Sequence, residues 1–437
     1  MAHAGSLLHR IVIVGGGAGG LELATRLGDK LGRGERAHVT LVDRSRTHLW
    51  KPLLHEVAAG SMDIHQHQLD YLAQALWHRF TFVLGALAGL DRATREVVVA
   101  AVRDDEGEEI LPERRIGYDT LAIAIGSESN DFGTPGVREH AFTIDNAWQA
   151  HLFHRRLVNA CFRANFANDG KVLDIAIVGA GATGVELAAE LHNTIRVLAA
   201  YGLENFDPER QIHIAVVEAG PRILPGLPDH IAEGTMKALK ELRVDVFIAE
   251  RVVEVTAGGV KTANGREIPG DFTVWAAGIR CNDVLNQLDG LEVDRINRLV
   301  VKPTLETTRD ANVFAFGDCA ACPWEDGKLL PPRAQTAHQQ ASHLVGTSTG
   351  RLSGEAPRPF RYRDFGSLVS LGAYETVGQL MGFISSEKFR VEGWLAKFFY
   401  VSLYRQHVWA LFGFWRMALD TLAQLLRRQT QPKVKLH

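Results

Sequence analysis

Ile11-Val-Ile-Val-Gly15-Gly-Gly17-Ala-Gly-Gly20 stands near the start of the chain, and Ile175-Ala-Ile-Val-Gly179-Ala-Gly181-Ala-Thr-Gly184 repeats it near the middle. A short apolar run of this kind fits a strand. The glycines fit a tight turn, and Leu21, Leu23, Ala24 and Leu27, or Val185 to Leu191 in the second copy, fit the helix that follows. A second strand, Val39-Thr-Leu-Val42, ends on Asp43, and its counterpart Ile212 to Val217 ends on Glu218. A dinucleotide-binding βαβ unit places its ribose-binding acid there. Each copy closes with a third strand, Leu121 to Ile125 running into Gly126 and Thr273 to Ala277 running into Gly278. The sequence thus predicts an α/β fold with two Rossmann-like dinucleotide-binding domains.

The residue types suit that task. A pyrophosphate needs donors without bulk, which glycine backbone and the free N–H groups of a helix N-terminus supply. Gly15, Gly17 and Gly20 offer this once, and Gly179, Gly181 and Gly184 offer it again. Asp43 and Glu218 accept hydrogen bonds from ribose hydroxyls, and an acid at that point repels a 2′-phosphate. Glu218 therefore favours NADH over NADPH, with Arg222 as the nearby opposing charge.

Composition narrows the alternatives. A chain of 437 residues fits two or three domains, and its net charge of −3 gives no reason to expect nucleic acid. Four cysteines are too few for a disulfide scaffold and point to a reducing compartment. Met1 to Arg10 holds no apolar run of signal-peptide length. The alternating stretch from Glu96 to Val102 and the acidic turn from Asp104 to Glu109 read as an inserted antiparallel hairpin. The strand before Gly317-Asp318 ends either in a capped turn or in a flavin contact.

Six segments together carry a family resemblance. They are Val14 to Gly20, Trp50-Lys-Pro-Leu-Leu-His-Glu56, Gly179-Ala-Gly-Ala-Thr-Gly-Val-Glu186, Trp275-Ala-Ala-Gly-Ile279, Phe316-Gly-Asp-Cys319 and Pro332-Arg-Ala-Gln-Thr-Ala-His-Gln339. In these the chain resembles the bacterial type II NADH dehydrogenases, single-subunit NADH:quinone oxidoreductases, essentially from end to end. The resemblance implies non-covalent FAD on Gly15, Gly17, Gly20, Asp43, Gly126, Gly317 and Asp318, and NADH on Gly179, Gly181, Gly184, Glu218 and Gly278. The implied layout is an FAD-binding domain in two parts, 1–150 and 298–386, an NADH-binding domain over 171–297 and a membrane-associated region over 387–437. A homodimer is the expected assembly.

By itself Glu186 reads equally as an acid complementing a helix dipole; the resemblance places it beside nicotinamide and flavin, with a part in supplying protons to the quinone. Gln335 and Gln339, four apart on one helical face, read on their own as surface polar residues. The resemblance makes them, with His338, contacts of a membrane quinone, ubiquinone or menaquinone, and makes Glu186 and Gln335 the catalytic pair. Cys319-Ala-Ala-Cys322 offers two ligands where a structural zinc takes four, so no metal site is expected. Related disulfide reductases carry their redox cysteines where this chain has Trp50 to Glu56 without one.

From Gly393 to Leu426 the sequence mixes Trp394, Phe398, Phe399, Tyr400, Tyr404, Trp409, Phe412, Phe414 and Trp415 with Lys397, Arg405, Arg416 and Asp420. No charge-free stretch reaches the roughly 20 residues of a membrane span. The pattern fits either amphipathic helices lying in a membrane interface or a soluble core or dimer pair. The resemblance selects the first, with Arg427, Arg428, Lys433 and Lys435 facing an anionic lipid surface on the cytoplasmic side of the bacterial inner membrane.

Overall fold

A computed structural model describes residues 8–370, 376–381, 388–392, 404–427 and 434–435. The chain forms two compact units, one from Met1–Trp50, His67–Glu128 and Ile279–Arg363, the other from Lys51–Gln66, Ser129–Gly278 and Asp364–His437. The helices that carry or brace the sites are α1 (Ala18–Leu27), α2 (Leu54–Ala59), α3 (Ala147–Ala167), α4 (Ala182–Ala200), α5 (Ala334–Arg351) and α6 (Phe414–Arg427).

The first unit is built on a five-stranded parallel sheet in the order Val313–Ala315, Thr120–Ile123, His9–Val14, Ala37–Asp43, Thr81–Leu84. Ile11 to Val14 are buried, as a central strand covered on both faces requires. The register sets Val14 beside Val42 and Ile123. Gly15, Asp43 and Gly126 therefore leave the sheet at one end, and Gly317 follows the strand next to them. Helices α1 and α5 pack together. A Cβ at Gly19 of α1 would collide with Phe316 and press on Ala337 of α5.

The inserted region is antiparallel, as its alternation predicts, but in two pieces. Leu87–Asp91, Glu96–Val99 and Arg114–Gly117 form a three-stranded sheet, and Val102–Arg103 pairs with Glu109–Leu111 as a separate hairpin. The acidic turn is closed by Asp104, whose Oδ1 accepts the N–H groups of Glu106 (3.1 Å) and Glu108 (2.8 Å).

The second unit repeats the plan, with the parallel order Ala141–Thr143, Phe272–Trp275, Leu173–Val178, Ile212–Val217, Asp245–Phe247. Helix α2 packs on α3 and α4. Its buried Leu54, Val57, Ala58 and Ala59 group residues 51–66 with this unit. Residues 129–150 likewise group here, and 279–297 with the first unit.

A helix over 404–412 meets α6 at Gly413, whose φ of +79° turns the chain. Arg405 donates to Asp420 Oδ2 (2.9 Å) and Gln424 Oε1 (2.6 Å) across that corner. Trp415, Leu419, Leu422 and Leu426, at helical spacing on α6, are exposed, as are Trp409 and Phe414. Among the described residues no helix is long and apolar enough to cross a membrane. The expectations for Trp394, Lys397, Phe398, Phe399, Tyr400, Arg428 and Lys433 fall outside the described residues. Lys435 N–H donates to the Gly60 carbonyl (2.9 Å), and Lys435 O meets His154 Nε2 (2.8 Å).

Candidate active site

The two glycine turns are near copies. Gly15 and Gly179 have φ of +102° and +106°, a region that L side chains rarely adopt. Their N–H groups donate to Val42 O and Val217 O, both at 2.8 Å. A Cβ at Gly20 would strike the Gly15 carbonyl, and one at Gly184 the Gly179 carbonyl, so each helix enters against its own turn. At Gly17 and Gly181, by contrast, a Cβ would meet nothing within 4 Å. That opening lies at the N-cap of α1 or α4, where helix N–H groups have no intrahelical partner. An open, positively polarised cradle of this kind fits a pyrophosphate.

The acids at the second strands hold these turns. Asp43 accepts from Gly16 N–H (2.6 Å) and Ser45 N–H (2.7 Å). Glu218 accepts from Ala180 N–H (2.8 Å) and Gly220 N–H (2.7 Å). Each carboxylate oxygen keeps lone-pair capacity for a hydroxyl. Burial raises the Asp43 pKa, against the opposing pull of its two backbone donors. Arg222 is engaged by Asp229 and by the carbonyls of Pro225 (3.1 Å) and Leu227.

The first turn has locks that the motif does not show. The Gly16 carbonyl accepts from the Tyr71 hydroxyl (2.7 Å) and His48 Nδ1 (2.9 Å). Burial lowers the His48 pKa to about 4, so the ring is neutral, and pushes the Tyr71 phenol up. Nothing in a glycine motif signals Tyr71; the only cue nearby is Asp70, which caps its helix by accepting from Ala73 N–H (3.0 Å). In the adjoining strand end, Asp318 Oδ2 accepts from Ser127 Oγ (3.0 Å). Gly317 N–H donates to Gln340 Oε1 (2.7 Å), which ties α5 to the Gly-Asp segment. Gly126 (φ +74°) leaves this end of the sheet with open space beside it, whereas a Cβ at Gly278 (φ +62°) would collide with Phe132.

Helix α5 places its polar residues in three different settings. Gln339 spends both ends of its amide on Arg363, donating to its carbonyl (2.8 Å) and accepting from its N–H (3.0 Å). His338 Nδ1 meets Glu22, a fully buried carboxylate of α1 that also accepts from Arg26 (2.8 Å) and Ser342 Oγ (3.3 Å). Gln335 Oε1 accepts from the Tyr362 hydroxyl (3.4 Å), but its buried Nε2 has no acceptor among the described residues. A buried donor left unpaired costs roughly 1–3 kcal/mol unless a ligand takes it.

Glu186, on the buried face of α4, is 6% exposed and meets His55 of α2. His55 sits inside the Trp50–Glu56 segment, but sequence gives no sign that it faces the second glycine helix. The Cys319 and Cys322 thiols are pushed up to about 11 by burial, and Cys319 Sγ contacts the carbonyls of Phe316 (3.3 Å) and Ile123 (3.4 Å). They are protonated thiols at neutral pH.

Two Rossmann-like units, each with an open glycine cradle and a bracing acid, define a pyridine-nucleotide flavoenzyme. Residues 9–341 match the pyridine nucleotide-disulphide oxidoreductase family. The chain is 43% identical, over 98% of its length and 100% of the relative's, to a type II NADH:quinone oxidoreductase of Haemophilus influenzae. It is 29% identical to one of Staphylococcus epidermidis, covering 85% of this chain and 90% of the relative. In fold it is similar to NDH2 of Plasmodium falciparum in complex with NADH (TM-score 0.81, 18% identity, 98% and 100% covered). It is also similar to the sulfide:quinone oxidoreductase of Aquifex aeolicus (TM-score 0.70, 16% identity, 92% and 91% covered). The chain belongs to the type II NADH:quinone oxidoreductases. It is an FAD-dependent enzyme that oxidises NADH and reduces a quinone.

Proposed function

We propose that the first glycine turn, with Asp43, Gly126, Gly317 and Asp318, holds FAD, and that the second, with Glu218 and Gly278, holds NADH. FAD, when bound, supplies the two-electron exchange between nicotinamide and quinone. The protein's part is to hold each partner and to manage protons. The locks on Gly16 support the first assignment, since a resident cofactor gains from a turn fixed on all sides. Engagement of Arg222 within its own loop supports NADH in the second.

One observation carries the quinone side, the buried Gln335 Nε2 with no acceptor among the described residues. A quinone carbonyl is the acceptor this buried donor lacks. Gln335 then orients the ring, while Gln339 and His338, committed to Arg363 and Glu22, hold α5 in place for it. Stopped-flow mixing tests this. In Gln335→Leu, reduction of the flavin by NADH is expected to stay near wild type, and its reoxidation by a short-chain ubiquinone to slow by roughly tenfold or more. An unchanged reoxidation rate removes Gln335 from the quinone site.

The exposed stripe of α6 supports attachment to an anionic lipid surface, which gives a lipid-soluble quinone a short route. We extend the reading to the cytoplasmic face of a bacterial inner membrane, the side on which NADH circulates, and to a homodimer. Co-sedimentation with anionic vesicles checks the lipid attachment and analytical ultracentrifugation the homodimer.

A further inference from the structure

Helix α2 brings an imidazole against the buried acid of α4. His55 Nδ1 lies 3.6 Å from Glu186 Oε2. Both residues are more than nine-tenths buried. The meeting is not a chance of two neighbours in sequence, because α2 is fixed by its packing on α3 and α4 and by the Lys435 N–H bond to Gly60 at its C-terminus. Burial lowers the His55 pKa to about 4, with the Pro52 carbonyl opposing it, so the ring rests neutral. A neutral imidazole has one nitrogen that gives a proton and one that takes it.

The reaction needs such a group. NADH, one proton and a quinone yield NAD+ and quinol. NADH delivers both electrons and one of the quinol's two protons as a hydride; the second proton comes from water. A carboxylate as buried as Glu186 collects that proton through a carrier. The other buried ionisable side chains of the three helices are His154, Cys161 and Glu190. His154 is held by the Lys435 carbonyl, and burial pushes the Cys161 thiol up to about 12. Glu190, one turn beyond Glu186, is the alternative carrier.

We propose that His55 is the proton carrier for Glu186. The ring takes a proton at Nε2 as Nδ1–H gives one to Glu186 Oε2, so it is neutral before and after the transfer. This rests on the reading of Glu186 as the group that supplies the quinone's second proton. In that role His55 is a positioning and relay residue that acts through Glu186.

The test uses the full-length, FAD-loaded protein in detergent with NADH and a short-chain ubiquinone. In His55→Gln, turnover is expected to fall by about 10²-fold, while flavin reduction by NADH stays within about twofold. Added imidazole should restore part of the turnover of His55→Ala. In the resting protein, the infrared carboxyl band that vanishes in Glu186→Gln should shift in His55→Gln, a readout independent of turnover. Wild-type turnover in His55→Gln with an unmoved band overturns the proposal. So does an equal slowing of flavin reduction by NADH, which marks a merely structural role, or a loss confined to Glu190→Gln. Wild-type turnover in Glu186→Gln instead brings down the underlying reading, whatever His55 does.

Discussion

The two glycine turns follow one rule of sequence and differ in how firmly they are held. Both have a left-handed first glycine, a helix that only a third glycine admits, and a carboxylate taking two backbone N–H groups. In the first, the carbonyl after Gly15 is gripped by two buried side chains, Tyr71 and His48. In the second, the equivalent Ala180 carbonyl has a backbone donor, Leu224 N–H at 2.8 Å. The two turns thus differ not in the motif but in what packs around it, side chains from elsewhere in the fold in the first and backbone in the second.

The largest effect expected of that comparison comes from the third glycines. Gly20→Ala forces a Cβ into the Gly15 carbonyl, a cost of about 1–3 kcal/mol or more. The protein should purify with little flavin, read as flavin absorbance per protein. Gly184→Ala should stay yellow yet be reduced only slowly by NADH. Loss of flavin from both variants alike breaks the division of labour. Next in size, Glu218→Ala leaves two N–H groups without their carboxylate and should raise the KM for NADH roughly tenfold to a hundredfold while flavin retention holds. Equal loss of both undoes the assignment of the second turn.

A smaller effect sharpens the contrast in locking. Tyr71→Phe removes one of the two donors on Gly16 O, worth about 1 kcal/mol or roughly fivefold in FAD affinity. Flavin-release kinetics should quicken accordingly, with the KM for NADH unmoved.

The smallest concerns a pair of histidines at the same strand position. His38, the second residue of Ala37–Asp43, has Thr40 and Thr81 as partners. His213, the second residue of Ile212–Val217, sits between Asp174 (2.8 Å) and Asp245 (2.9 Å). Burial lowers the His213 pKa, but the hydrogen bonds to Asp245 and Asp174 outweigh it and the net shift is upward. A folded pKa above the unfolded value means that the stabilisation is whole below the unfolded value near 6.5 and is lost as pH rises through the folded one. Thermal unfolding of the wild type should therefore weaken upward from near neutrality, and His213→Asn should flatten that slope. An unchanged slope shows that the two aspartates do not hold a charged ring.

Sequence read well wherever a residue type is forced by the backbone. Gly15, Gly20, Gly179 and Gly184 announce their turns because no other residue fits, and the apolar strand before each turn has only one place in a parallel sheet. It read poorly wherever a contact joins distant stretches. Neither Tyr71 on Gly16 nor Glu22 beneath His338 has a local pattern, since each depends on which helix the fold sets alongside. Gln335 and Gln339 are alike in sequence, four residues apart on one helix, and only the Arg363 backbone separates a brace from an unpaired donor.

The hold of Lys435 on Gly60 and His154 carries a consequence for the order in which the protein is made. That contact spans 281 residues from His154, and each unit is stitched from three separate stretches of chain. On a ribosome the first unit has its last stretch in hand by Arg363, whereas the second still waits for the residues that pin α2. Contacts so far apart form slowly and leave apolar surface uncovered meanwhile. During synthesis the second unit is therefore the later of the two to mature.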